Sequence, residues 1–256
     1  MATLDGLLDC LTASSPHVAT QPPIHTEVPG RAPIELIAYY EEFRDYYPRC
    51  EFATKRWFVE HVQPDWTILD CGANIGYYTI LFAQLAPRGT VIAFEPTDTH
   101  DMLLANLHHA GVSQAEVLRM AVGKHTGRMR ESVFRIWGQE PEVRNYPFTT
   151  LDDFMVARQL QRIDAIKIDV DSFDFEVLQG AEELLRRFDP WVVVELNHGL
   201  NRRGQSVPEA LEWMSRQGYR DCLCLDYDNY VFSRRSEFSA TGAGAAPMTI
   251  WFPPSR

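Results

Sequence analysis

The sequence predicts an α/β fold: a doubly wound, mainly parallel, seven-stranded Rossmann-like sheet with an antiparallel edge and an N-terminal helical extension. Three observations carry this. From Asp65 onward, short apolar segments alternate with helix-length ones, the pattern of strand–helix–strand units. Trp191-Val-Val-Val is continuously apolar, as a strand covered on both faces requires. Near the end, the segments around 221–225, 229–233 and 248–252 follow one another without a helix of length between them, which makes an antiparallel edge.

The elements follow in order. Residues 1 to about 32 are rich in Pro, Thr, His and small residues, read as a short helix near Leu4–Leu11 and then an irregular arm. From Pro33 to Tyr47, apolar residues at 36, 39, 40, 43 and 47 fit one helical face, with Pro33 in the first turn and Pro48 as the stop. A second helix is expected from about Glu51 to Val62. Residues 1–64 thus form an arm and helices, a candidate lid with aromatic walls, and 65–256 form the main domain.

Within that domain, strand 67–70 leads to a helix near 75–85, strand 90–94 to a helix near 98–109, and strand 115–120 follows. Residues 123–148 read as a short hairpin (Arg128–Ile136) and a loop. A helix starts at Thr149–Phe154 and strand Ala165–Ile168 comes next. A helix over 173–187 precedes strand Trp191–Leu196. Ser206-Val-Pro208-Glu209 is a capping box with proline in the first turn, so a helix runs from there to about Gln217. Thr241–Ala246 reads as a loop.

The stretch Thr67-Ile-Leu-Asp70-Cys-Gly72-Ala-Asn74-Ile-Gly76 organises the rest: strand, tight turn, helix start. Such a turn presents backbone N–H groups to a polar ligand, and doubly wound sheets bind at the carboxyl ends of their strands. Asp70, Glu95, Ala121, Asp169 and Glu195 all fall at or just after expected strand ends. Glu95 stands where an acid grips ribose hydroxyls. The turn departs from G-x-G-x-x-G: Asn74 occupies the place of the glycine that lets backbone approach a pyrophosphate, and Asp70 adds negative charge there. No Walker-type G-K-[ST] is present. A phosphate-free cofactor with a cationic centre, such as S-adenosylmethionine, fits better.

With those residues in hand, a resemblance emerges. Asp70-x-Gly-Ala-Asn-x-Gly-Tyr-Tyr-Thr, Phe94-Glu-Pro, Ala121-Val-Gly, Thr150-Leu-Asp-Asp, Lys167-Ile-Asp-Val-Asp, Val177-Leu-Gln-Gly-Ala and Val194-Glu195 resemble the FkbM family of S-adenosylmethionine-dependent methyltransferases, over about Ile68 to Asn197. The resemblance implies O-methylation of a hydroxyl on a sugar, glycan or polyketide-type natural product. The cofactor would be held by Asp70, Gly72, Asn74, Gly76, Glu95, Pro96, Thr97, Ala121 and Asp169. One segment departs from the family pattern: Asp169-Val-Asp171-Ser172-Phe173-Asp174 replaces Asp-x-Glu-Gly-x-Glu.

A neutral alcohol needs a base or a metal to become a nucleophile. Asp169, Asp171 and His198 are the catalytic candidates, His198 by its near-neutral titration. Asp169, Glu195 and Asn197 offer an oxygen set for Mg²⁺, while the simpler role for Asp169 is cofactor orientation, with Asp171 or Ser172 capping the next helix. His108-His109 suits a helix C-terminus. Lys167 is expected with its tip in solvent, and Arg202-Arg203 as loop arginines.

Composition limits the rest. A net charge of −11 over 256 residues disfavours a nucleic-acid partner, because phosphate neutralisation needs a basic face. No apolar run spans a bilayer, and the N-terminus lacks a secretory pattern, so a cytoplasmic protein is expected. Five cysteines without metal-type spacing read as buried thiols. The partners expected are a small-molecule or glycan acceptor and, left open by the sequence, a second copy of the chain. A non-catalytic S-adenosylmethionine-binding protein and an N-methyltransferase on a small molecule are the competing functions.

Overall fold

The computed structural model describes residues 22–38, 40–134 and 139–234, together with the backbone of 248–251. The expected helix near 4–11 and the loop at 241–246 lie outside the described residues.

The strands of the main sheet are β3 (Thr67–Cys71), β4 (Thr90–Phe94), β5 (Ala115–Leu118), β9 (Ala165–Ile168), β10 (Trp191–Glu195), β11 (Asp221–Leu225), β12 (Asn229–Ser233) and β13 (Met248–Trp251). They lie in the order β13-β11-β12-β10-β9-β3-β4-β5. The five from β10 to β5 are parallel, and β12, β11 and β13 join antiparallel. The sheet has eight strands, one more than the expected seven, and its antiparallel edge is built from the three segments expected there. The order reverses at β3, so the carboxyl ends of β3 and its neighbour β9 flank the crevice where such sheets take ligands.

Alternate residues of each strand face opposite cores. Ile68, Val91, Ala93, Ala165, Trp191 and Val193 join one cluster, and Leu69, Cys71, Ile92, Phe94, Ile166 and Val192 the other. Both faces being covered explains why the strands carry continuous apolar runs. Helices α3 (Tyr77–Leu85) and α4 (Thr99–His109) follow β3 and β4. Helices α5 (Leu151–Ala157), α6 (Asp174–Gln179), α7 (Glu182–Phe188) and α8 (Val207–Arg216) complete the set, with a 3₁₀ turn at His198–Arg203.

The N-terminal segment departs from the expected single helix over 33–47. Ile34–Leu36 is a strand, β2, paired antiparallel with β1 (Ile24–Thr26); helix α1 covers only Glu41–Tyr46, and α2 covers Phe52–His61. Asn106 decides the matter: its side chain accepts from Ile37 N–H at 2.7 Å and donates to Ile37 C=O at 3.2 Å. With both backbone groups taken, Ile37 has none left for a helix. Ile34 and Leu36 alternate inward, a period that five apolar positions cannot separate from a helical face. This whole segment packs on the α3 side of the sheet, Phe58 against Phe82 at 4.7 Å and Trp57 against Trp191 at 5.1 Å.

Two further expectations change. The helix over 173–187 is broken into α6 and α7 at Gly180, where a Cβ would fall 2.1 Å from the Gly123 carbonyl oxygen. Asp152 caps the second piece, accepting from the N–H groups of Glu183 and Leu184. The irregular 123–148 region is a small sheet in the order β6-β8-β7: β6 (Ala121–Val122), β7 (Gly127–Val133) and β8 (Glu142–Thr149). Strand β5 correspondingly stops at Leu118.

Candidate active site

The turn after β3 is held by backbone bonds: Gly72 and Ala73 N–H both donate to the Phe94 carbonyl at 3.0 Å. Gly72 has φ +86°, and a Cβ on it would lie 1.8 Å from the Asp169 carbonyl oxygen. Glycine is required there by contact as well as conformation. Asn74 also sits left-handed, at φ 48°, and its N–H donates to Glu95 Oε2 at 2.9 Å. Thr97 donates to Glu95 Oε1 from its N–H and its hydroxyl, at 2.9 and 2.7 Å. Three bonds fix this buried carboxylate and leave about one of its four lone-pair sites for a ligand.

Two lobes open from this turn. The first is walled by Phe94, Glu95, Pro96, Met120, Ala121 and Val122, with Val133, Phe134, Phe148 and Phe173 across from them. Its walls are mostly apolar, with the carboxyl groups of Glu95, Asp169 and Asp171 among them, and among the described residues no Lys or Arg lines it. The second is larger, with an empty volume of about 1610 Å³ counting open solvent. Tyr46, Tyr47, Tyr77 and Tyr78 wall it, along with acids from the ends of β9 and β10 and the β11–β12 hairpin. Gly72, Asn74, Asp169 and Asp171 line both lobes.

The Methyltransferase FkbM domain matches residues 70–220, more than half of the chain. The protein belongs to that family. This FkbM methyltransferase is 25% identical over 222 residues to the AMB antimetabolite synthetase AmbE of Pseudomonas aeruginosa, a match covering 65% of this chain and 10% of that protein. It is 23% identical over 174 residues to Methyltransferase 1 of Beauveria bassiana, covering 57% of this chain and 70% of the relative. The FkbM methyltransferase of Methylobacillus flagellatus KT shares the fold, with a TM-score of 0.50, 16% identity, and coverage of 67% of this chain and 44% of that one.

The residues expected to hold a cofactor fall in two groups. Gly72, Asn74, Glu95, Pro96, Ala121 and Asp169 line the first lobe. Asp70, Gly76 and Thr97 stand behind it. Asp70 is fully buried and accepts from the Thr79 hydroxyl at 2.6 Å; burial pushes its carboxyl up to about 6. Gly76 begins α3 at φ +95°, against Leu103. Thr97 acts through Glu95.

Lys167 is not at the solvent. Its side chain is 2% exposed, and its ammonium donates to Asp169 Oδ2 at 2.8 Å, 4.4 Å from the centroid of the Tyr78 ring. Burial alone would lower its pKa, but Asp169, Glu51 and Asp70 around it raise it overall, so it stays charged. It pairs in register with Asp70 across β3 and β9. A lysine between two isoleucines of a strand covered on both faces is the signal that could have found it, since buried lysines are paired.

Asp171 and Ser172 follow β9 in left-handed backbone, at φ 46° and 88°. Neither caps α6. Asp174 holds the loop instead, accepting from Val170 N–H at 2.8 Å and Ser172 N–H at 3.0 Å. Asp171 lies where the lobes meet; burial, then the charges of Asp169 and Glu95, push it up to about 7. His198 is exposed at the rim of the second lobe. Arg203 is committed to Glu176 at 2.6 Å and stacked over Phe173, while Arg202 lies over Phe134.

The oxygen set proposed for Mg²⁺ does not fit a resident ion. Asp169 is taken by Lys167, and Asn197 Oδ1 accepts from Gly199 N–H at 2.7 Å. Burial, with Asp169 and Asp174 nearby, pushes Glu195 up to about 10, which disfavours its charged form. Among the described residues no three His, Cys, Asp or Glu side chains form a metal-holding group. No described helix is long and apolar enough to cross a membrane.

Proposed function

We propose that the protein transfers a methyl group from S-adenosylmethionine to a hydroxyl of a sugar, glycan or polyketide-type molecule. The observation that carries this is the floor common to the two lobes: a donor in one and an acceptor in the other meet at Gly72, Asn74, Asp169 and Asp171. The first lobe fits the cofactor. Glu95 retains an acceptor site for a ribose hydroxyl, Met120 to Val122 and Phe148 offer apolar walls for a base, and the absence of cations among the described lining residues suits a ligand without phosphate. The buried Asn74 Oδ1 lacks a partner among the described residues, as expected of a group that meets a ligand.

When bound, S-adenosylmethionine supplies a methyl carbon made electrophilic by its positive sulfur. The chain's part is to position and to move one proton. Asp171 receives the hydroxyl proton as the oxygen is alkylated, because its raised pKa suits proton uptake near pH 7. Lys167 holds Asp169 in position at the floor. Phe43, Tyr46 and Tyr47, on and just after α1, form the outer wall of the acceptor lobe, the lid role read for residues 1–64. His198, at the rim, serves acceptor entry.

Calorimetry with S-adenosylmethionine and S-adenosylhomocysteine tests the first half, with micromolar binding of both expected. Methyl transfer to a panel of sugar and macrolide acceptors tests the second. Binding of neither cofactor form overturns the reading, and cofactor binding without turnover on any hydroxyl leaves a binding protein.

A further inference from the structure

Resting on the methyl-transfer reading, we propose that the acceptor carries a protonated amine, held between the carboxylates and tyrosine rings of the second lobe, besides the hydroxyl that is methylated.

Charge is the first observation. Glu51, Asp169, Asp171, Glu195, Asp226 and Asp228 all line this lobe. Among the described residues that line it, Lys167 is the only Lys or Arg, and it is already paired to Asp169. Lys55 stands behind the wall, fully buried, 5.4 Å from the centroid of the Tyr77 ring. Burial pushes Glu195 up to about 10 and Glu51 and Asp171 up to about 7. Six carboxyl groups thus face two lysines across this lobe. A neutral acceptor would leave that excess uncompensated, whereas a cation offsets it.

Unmet hydrogen bonding is the second, independent observation. Tyr77, Tyr78 and Asn229 line the lobe at 2%, 5% and 2% exposure. The hydroxyls of both tyrosines and Asn229 Oδ1 have no hydrogen-bond partner among the described residues. Buried polar atoms without partners are costly, and an amide oxygen can only accept, so the missing group is a donor. An ammonium brings three N–H donors. Tyrosine faces add cation–π attraction.

Glu51 is the anchor. It begins α2 at φ 45° without capping the helix through its side chain. That task falls to Asp226, whose carboxylate accepts from Ala53 and Thr54 N–H at 3.1 and 2.7 Å. Glu51 Oε1 accepts from Asn229 Nδ2 at 3.0 Å. Its carboxylate and the Asn229 amide are thereby linked on the cleft wall.

The test saturates the protein with S-adenosylhomocysteine and titrates it at pH 7 with matched probes: glucosamine and N-acetylglucosamine, galactosamine and N-acetylgalactosamine, kanamycin and its fully N-acetylated form. The free amine should bind at least tenfold more tightly in one or more pairs. Glu51→Gln should cut that preference below threefold while leaving S-adenosylhomocysteine affinity within twofold. Acetylated probes binding as well as amines in every pair, or no probe binding at all, overturns the proposal. So does an unchanged preference in Glu51→Gln. Loss of S-adenosylhomocysteine binding by the unaltered protein is a separate outcome; it removes the methyl-transfer reading and the proposal with it.

Discussion

The ammonium of Lys167 and the carboxylate of Asp169 meet at 2.8 Å where the two lobes join, with one partner almost fully buried and the other about a third exposed. Removing the cation leaves Asp169, Asp70 and Glu51 facing one another without compensation. Lys167→Met should therefore destabilise the fold by about 2–4 kcal/mol, somewhat below the cost of breaking a fully buried pair because Asp169 is partly solvated. Urea denaturation measures it. A loss under 1 kcal/mol would contradict the counter-ion role.

Gly72 bears the tightest approach at the site. Gly72→Ala must relieve a Cβ contact of 1.8 Å with the backbone of Asp169 at a positive φ. The expected cost is about 3 kcal/mol, from left-handed strain and overpacking together, with S-adenosylhomocysteine binding lost by calorimetry. Retained binding would mean the turn does not approach the cofactor.

Glu95→Gln keeps the shape and removes the charge. Thr97 and Asn74 would still donate, but more weakly, and one carboxamide nitrogen would face donors. Affinity for S-adenosylhomocysteine should drop by about 10–100-fold, the value of one or two hydrogen bonds to a charged group. An unchanged Kd refutes ribose recognition by Glu95.

Stability should fall as pH rises. Asp171 and Asp174 titrate near 7 when folded, and Glu195 near 10, against about 4 unfolded, burial being the first cause in each. Between those limits the native state binds more protons than the unfolded chain, so the stability these groups contribute is full below pH 4 and is lost upward, through 7 for the aspartates and on toward 10 for Glu195. Glu195→Gln cannot ionise. Its Tm, measured by calorimetry from pH 5 to 9, should decline less steeply than that of the unaltered protein, and parallel curves would refute the assignment.

Asp171→Asn should lower kcat by about 10²–10⁴-fold, the range for a positioned general base, with cofactor affinity little changed. His198→Ala should alter KM rather than kcat. The reverse pattern in steady-state kinetics would move the base to His198.

That Asp70 to Gly76, Glu95, Ala121 and Asp169 come together was legible from residue order, because they occupy strand ends of one doubly wound sheet, and sheet topology alone brings strand ends together. The make-up of the second lobe was not. Glu51 sits far in sequence from Asp226 and Asn229, and no local periodicity reports that Asp226 caps α2. Lys167 reads as solvated because a strand segment by itself does not report what covers its two faces. Ile34–Leu36 reads as helix because apolar spacing there fits both periods, and the deciding contact comes from Asn106, sixty-nine residues after Ile37.

The hairpin carboxylate that caps α2 ties residue 226 to residue 54. The family match spans 70–220, so the wall of the second lobe is assembled from both flanks of the chain, while every residue lining the first lobe lies inside the match. Changes in the flanks can thus diversify what enters one chamber while the other keeps its inherited shape, and the two flanks must change in concert, since a new residue at 226 unseats the helix that carries Lys55 and borders Glu51.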